Sequence, residues 1–186
     1  MKTKSELRWL IRNTALSDEY KNLADEIITR AVLESTEYKN AKSVFVYLST
    51  AREPNTGNII NACFRDGKQV FVPLCIEKNM YTAKIFPYTI YKSNLYGIKE
   101  PVSNFEIATY EPDLIIIPCM AAAKNCKRLG HGGGYYDKYL ATSKGYKICL
   151  CYDMFLYDDL PTDALDIIMD KIISNSIFKT EFVKKL

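Results

Sequence analysis

Apolar residues recur at helical spacing through residues 4–15, where Leu7, Leu10 and Ile11 define one face, and Ser17 then stands as the N-cap of a second helix running to about Glu34. Residues 43–49, Ser-Val-Phe-Val-Tyr-Leu-Ser, are β-branched and aromatic with no polar alternation, the pattern of a strand buried on both faces. Residues 68–74 and 114–118 repeat it. Between the first two strands, Ile59, Ile60 and Phe64 mark an amphipathic helix over residues 56–65 that Asp66-Gly67 closes, giving a β-α-β unit. Residues 80–86 read as a further strand and residues 87–112 as a long irregular segment punctuated by Pro, Asn and Gly. The strand at 114–118 leads through a polar, Gly-rich loop into a helix beginning near Gly133. Residues 146–152 form another buried strand, and residues 171–174 a last one after the acidic stretch 158–170. This order predicts a mainly parallel α/β sheet in a single domain spanning residues 1–186.

Composition narrows the class without naming a function. The chain has 186 residues, 48% of them hydrophobic, enough for one sizeable core. Its net charge of +3 is too small to point to nucleic acid, although a local basic excess would suit an anionic small molecule. The charged N-terminus lacks the apolar stretch of a signal peptide, and no apolar run approaches the ~20 residues of a membrane span. The six cysteines, at 63, 75, 119, 126, 149 and 151, lie mostly in apolar runs and form no Cys-x-x-Cys pair. They read as reduced core thiols, so a cytoplasmic protein without membrane or nucleic-acid partners is expected.

The densest chemical signal is Arg128-Leu129-Gly130-His131-Gly132-Gly133-Gly134-Tyr135-Tyr136-Asp137. Glycines at a helix start expose backbone N–H groups that can cradle phosphate, Arg128 adds a bidentate phosphate partner, and Asp137 a carboxylate for magnesium or a loop amide. A tight turn with no ligand accounts for the glycines equally well. A Rossmann fingerprint fails because Tyr135 falls where the third glycine belongs, and a Walker A loop fails for want of Gly-Lys-Ser or Gly-Lys-Thr. Those failures disfavour a kinase or dehydrogenase of either type.

The run from Arg128 to Asp137 resembles the Arg-Leu-Gly-x-Gly-x-Gly-Tyr-Tyr-Asp signature of the 5-formyltetrahydrofolate cyclo-ligase family. Further segments resemble that family in its own order over almost the whole chain: Lys4-Ser5-Glu6-Leu7-Arg8, Tyr47 to Thr56 with its Glu-x-x-Thr, Gly97-Ile98-x-Glu100-Pro101, and Leu160-Pro161 followed by Asp166 and Asp170. The resemblance implies a three-layer α/β fold of the ribose-phosphate isomerase and CoA-transferase-like group, acting as a monomer. It implies ATP-dependent, magnesium-dependent closure of 5-formyltetrahydrofolate to 5,10-methenyltetrahydrofolate. Lys4, Arg8, Arg128, Gly130, Gly132, Gly133, Gly134, Tyr135 and Asp137 would bind ATP, with Asp137 at the metal. Glu53, Thr56 and Tyr135 would bind the folate, and Glu53 and Arg128 would serve catalysis. His131 occupies the variable position of the signature and is given no role.

The chain departs from the family at one place. Where the usual run carries Phe-Asp, this sequence has Ala122-Ala123, and a glycine shortly before Arg-Leu-Gly is Cys126. A relative that binds nucleotide or folate without turnover therefore stands as the alternative, and returning an aspartate to position 123 is expected to improve metal affinity or loop order modestly.

Overall fold

The structure, a computed structural model, describes residues 2–77, 79–94, 97–108 and 110–178. Helix α1 (Lys4–Asn13) starts at a capping box: the Thr3 hydroxyl accepts from the Glu6 backbone N–H, and the Glu6 carboxylate accepts from the Thr3 N–H at 2.7 Å. Ser17 caps α2 (Asp18–Glu34), as its place before the periodic run predicts. A short helix, α3 (Thr36–Asn40), precedes β1 (Ser43–Val46), and α4 (Gly57–Arg65) connects β1 to β2 (Gln69–Ile76). Gly67 closes α4 at φ +69°, a left-handed conformation that glycine adopts without cost.

Among the described residues, seven strands form the main sheet in the order β10-β8-β5-β1-β2-β3-β4. Here β3 is Asn79–Ser93, β4 Lys99–Ile107, β5 Leu114–Ile117, β8 Tyr146–Cys151 and β10 Lys171–Ser174. The first five in that order run parallel, and β3 and β4 add an antiparallel ribbon at one edge. The sheet is thus mainly parallel, as expected. From β1 the chain moves to β2 through α4, whereas from β5 it moves the opposite way to β8 through α5 (Tyr135–Leu140). Right-handed crossovers in opposite directions put α4 and α5 on opposite faces, giving three layers. Helix α2 packs beside α4, and Tyr139 of α5 stacks on Phe45 of β1 with ring centroids 5.0 Å apart.

Several elements differ from the sequence reading. The segment 87–112 is no irregular stretch: β3 runs on to Ser93 and β4 returns along it, with Leu95, Tyr96 and Thr109 lying outside the described residues. Its period is hidden because the ladder shifts register between Ile85 and Ile90 and again at Tyr91, and Asn104 takes φ +57°. Pro87 falls within the first shift and Pro101 on the edge strand, the two settings where a missing N–H costs no ladder bond. The buried run 43–49 pairs only as far as Val46, with one more bond from the Tyr47 N–H to the Ile116 carbonyl, before the chain leaves the sheet. The polar loop after β5 contains two strands, β6 (Ala121–Ala123) and β7 (Arg128–Leu129), which join β9 (Leu156–Tyr157) in a small second sheet.

A candidate nucleotide and folate site

The strand order reverses between β1 and β5, and open α/β sheets bind ligands beyond the C-terminal ends of strands at such a point. A cavity of about 1430 Å³ lies there. Its walls come from the segment after β1, the segment after β5, the N-terminal half of α5, one face of α1 and the turn of the β3–β4 ribbon, which contributes Gly97, Ile98 and Glu100.

Arg128 enters this wall from β7, with its side chain only 3% exposed. Its Nη2 donates to Asp137 Oδ1 at 2.7 Å, its Nη1 donates to the Pro118 carbonyl at 3.3 Å, and its buried Nε has no partner among the described residues. Burial by itself opposes the guanidinium charge, but the Asp137 carboxylate beside it more than restores it. Asp137 is therefore tied first to Arg128, and Ile167 N–H lies 3.5 Å from the same oxygen. A Cβ at Gly130 would stand 3.2 Å from Arg128 Nη1, close enough to press on the guanidinium that Asp137 holds.

The glycine loop turns through positive φ at Gly132 (+104°) and Gly134 (+69°), the latter serving as the α5 N-cap, so the helix starts at Tyr135. The backbone N–H groups from His131 to Gly134 find no acceptor among the described residues, leaving donors for an anion. Arg8 holds this loop from α1, its Nε donating to the Gly130 carbonyl at 2.9 Å. One turn earlier, Lys4 pairs with Asp163 at 2.7 Å and with Asp166. Burial works against charge on Lys4, yet its hydrogen bonds to these two carboxylates win and raise its pKa. Tyr135 lines the cavity next to Gly133.

Glu53 lies on the opposite wall, seven residues beyond the end of β1 rather than at the strand terminus itself. Its Oε2 accepts from the Thr50 N–H at 2.8 Å and the Thr50 hydroxyl at 2.9 Å, and its Oε1 stands 3.1 Å from His131 Nε2. Burial pushes the Glu53 carboxyl up, but the bonds from His131 and Thr50 outweigh it and hold the group below the usual glutamate value. Buried phenols fix the surrounding loop: Tyr152 reaches the Glu53 carbonyl at 3.1 Å and Tyr47 donates to the Pro54 carbonyl at 2.7 Å.

The expected residues thus converge with one exception. Thr56 does not reach the cavity: it is buried, and its hydroxyl donates to the Tyr47 carbonyl at 2.7 Å, closing the loop that carries Glu53. His131, given no role from its variable position, touches Glu53 across 78 residues of chain. Asp163 and Asp166 join the site through Lys4, a contact spanning more than 150 residues that no local pattern announces. Ala122 and Ala123 form the middle of the small second sheet, fully buried and outside the cavity wall.

Among the described residues no three His, Cys, Asp or Glu side chains form a metal cage, and no helix is long and apolar enough to cross a membrane. The pattern describing the 5-formyltetrahydrofolate cyclo-ligase family matches residues 1–175. A protein of Schizosaccharomyces pombe described as a probable 5-formyltetrahydrofolate cyclo-ligase is 30% identical, over 92% of this chain and 94% of its own. The 5-formyltetrahydrofolate cyclo-ligase of Haemophilus influenzae is 27% identical, over 88% and 91%. Among solved structures, the Aquifex aeolicus 5,10-methenyltetrahydrofolate synthetase superposes with a TM-score of 0.80 at 28% identity, covering 92% of this chain and 89% of that one. The Mycoplasma pneumoniae 5,10-methenyltetrahydrofolate synthetase, 24% identical, shares the fold at a TM-score of 0.71 over 94% and 99%. With its family pattern, its sheet order and its cavity in agreement, this chain belongs to the 5-formyltetrahydrofolate cyclo-ligase family.

Proposed function

We propose that this chain uses ATP to close 5-formyltetrahydrofolate into 5,10-methenyltetrahydrofolate, with the nucleotide phosphates at the glycine loop and the folate against Glu53. The observation that carries this reading is one cavity with a cationic, N–H-rich wall facing a buried carboxylate. A formamide is a poor electrophile and its oxygen a poor leaving group. In the proposed sequence the formyl oxygen bonds to the γ-phosphorus as the bond to ADP breaks, N10 adds to the activated carbon, and phosphate departs with that oxygen.

The protein's part is to position the reactants and offset charge. Arg8 and Arg128 flank the loop whose N–H groups would take phosphate oxygens, and Lys4 stands at the same wall between Asp163 and Asp166. The donor set suits magnesium carried in on the nucleotide, since that ion keeps water and phosphate oxygens and needs only one or two carboxylates. Asp137 and Asp166 are the carboxylates that would face it, and the ion would supply charge neutralisation at the phosphates. Glu53, an anion held in a dry wall, would orient the pterin and favour the cationic product.

The test is to mix the purified protein with 5-formyltetrahydrofolate and ATP and follow the near-ultraviolet absorbance of the methenyl product, with and without magnesium. Product formation that requires both ATP and magnesium is expected. Binding of either substrate without product would establish the binding-only alternative.

A further inference from the structure

His131 is the only histidine in the chain, and its side chain is about half exposed while the carboxylate it meets is 7% exposed. The two residues sit on different walls of the cavity. Gly132, next to His131, packs against Arg8, which also holds Gly130, so α1 fixes the backbone that presents the imidazole. Tyr152 and Tyr47 fix the backbone that presents the carboxylate.

The charged and titratable groups around Glu53 leave His131 with a distinct place. Tyr47 after β1, Tyr136 on α5 and Tyr152 after β8 face it as phenols whose ionisation burial pushes upward, so they stay neutral. Thr50 contributes an uncharged hydroxyl and N–H. Four cations of the same cavity are engaged elsewhere: Lys4 with Asp163 and Asp166, Arg8 with the Gly130 carbonyl, Arg128 with Asp137, and Arg52 with the Ile11 and Thr14 carbonyls. Arg12 and Lys138 also line it, and neither forms a hydrogen bond or ion pair with Glu53. Among the described residues, His131 is thus the one side chain capable of positive charge within hydrogen-bond distance of Glu53.

We infer that His131 is a positioning residue that keeps the Glu53 carboxylate ionised and aimed into the cavity, and thereby sets the acid limit of turnover. The inference rests on the reading of Glu53 as the folate-side carboxylate. An ionised carboxylate cannot donate, so Nε2 carries the proton of this bond, and Oε1 keeps a second acceptor position for the ligand. Without the imidazole, Thr50 is the main group left to oppose burial, and Glu53 takes up a proton at higher pH.

The experiment compares wild type, His131→Ala, His131→Gln and Glu53→Gln by folate-dependent phosphate release from ATP across pH, each corrected with a blank lacking 5-formyltetrahydrofolate. In His131→Ala the acid limb of kcat/KM for folate should move up by about one pH unit, a loss of about tenfold at its acid end. Activity at pH 8 should stay within about twofold of wild type, with the KM for ATP unchanged. His131→Gln, whose amide also donates, should restore most of the limb. A limb that stays in place in His131→Ala, or a loss equal at every pH, overturns the inference. Unimpaired turnover in Glu53→Gln instead overturns the reading of Glu53 itself, which separates the two failures.

Discussion

Replacing Arg128 by alanine should injure stability and nucleotide use together, and the structure sets the size of each. The side chain is buried, bridges β7 to Asp137 and to the Pro118 carbonyl, and lies over the Tyr136 ring at 5.7 Å. Losing a charge-assisted hydrogen bond costs about 1.5–3 kcal/mol, and stranding a wholly buried partner raises this to about 3–5 kcal/mol. Asp137 keeps 24% exposure, so water recovers part of the loss and a total of about 2–4 kcal/mol is expected. For a domain of this size, that corresponds to a fall in Tm of about 5–15 °C. Thermal and urea unfolding of Arg128→Ala, Asp137→Asn and the double variant would measure it, with the coupling between the two sites isolating the pair. Well below its own Tm, Arg128→Ala should raise the KM for ATP by at least about tenfold if a comparable contact to phosphate is lost. A Tm within about 2 °C of wild type, the scale of one weak interaction, would refute the buried ion pair as a stabilising contact. An unchanged KM for ATP in the folded variant would refute the phosphate assignment.

Three further variants probe Glu53, the β6–β7 turn and the buried strand β6. Glu53→Gln should lower kcat and weaken folate binding while ATP affinity holds; the reverse split would exchange the two subsites. Because the Glu53 carboxyl is held below its usual value, its stabilising effect is present above that value and lost as pH falls through the folded one, so the stability gap to Glu53→Gln should shrink on acidification. Cys126 adopts φ +66°, which costs a side chain about 1–2 kcal/mol against the roughly 0.5–1 kcal/mol of entropy that glycine loses, so Cys126→Gly should raise stability by about 0.5 kcal/mol in urea titration. Ala123→Asp places a carboxylate in a fully buried strand, so it should cost more than about 2 kcal/mol and leave the magnesium titration where it was, contrary to the gain expected from sequence.

Much of the fold was legible because the central strands obey a simple rule. Val44, Phe45 and Val46, like Ile115, Ile116 and Ile117, are buried on both faces and leave unbroken apolar runs. The helix cap at Ser17 is equally local. The β3–β4 ribbon escaped because its register shifts break the alternation, and β6, β7 and β9 escaped because two or three residues carry no period at all. At the site, Arg128 and the glycines were visible as a compact motif, and Lys4 and Arg8 as two positions one turn apart on a helix. What they touch was not visible. Lys4 finds Asp163 and Asp166, and His131 finds Glu53, only because the sheet brings distant loops to one end.

The replacement of the family Phe-Asp by Ala122-Ala123 is the feature that made a binding-only relative worth weighing, and its place in the fold changes what it implies. Ala122 pairs with Arg128 in the small sheet, while the Ala123 N–H donates to the Lys127 carbonyl and the Cys126 N–H to the Ala123 carbonyl. Strand β6 therefore supports Arg128 through backbone bonds, which any residue but proline can make. The side chains at 122 and 123 are fully buried away from the cavity wall, and Arg128 still reaches both Asp137 and the Pro118 carbonyl. Cys126 in place of a glycine keeps the left-handed turn that closes the β6–β7 hairpin, at the expense of backbone strain. The departure thus bears on how tightly the hairpin folds, and the groups proposed to hold phosphate and folate keep their geometry without it.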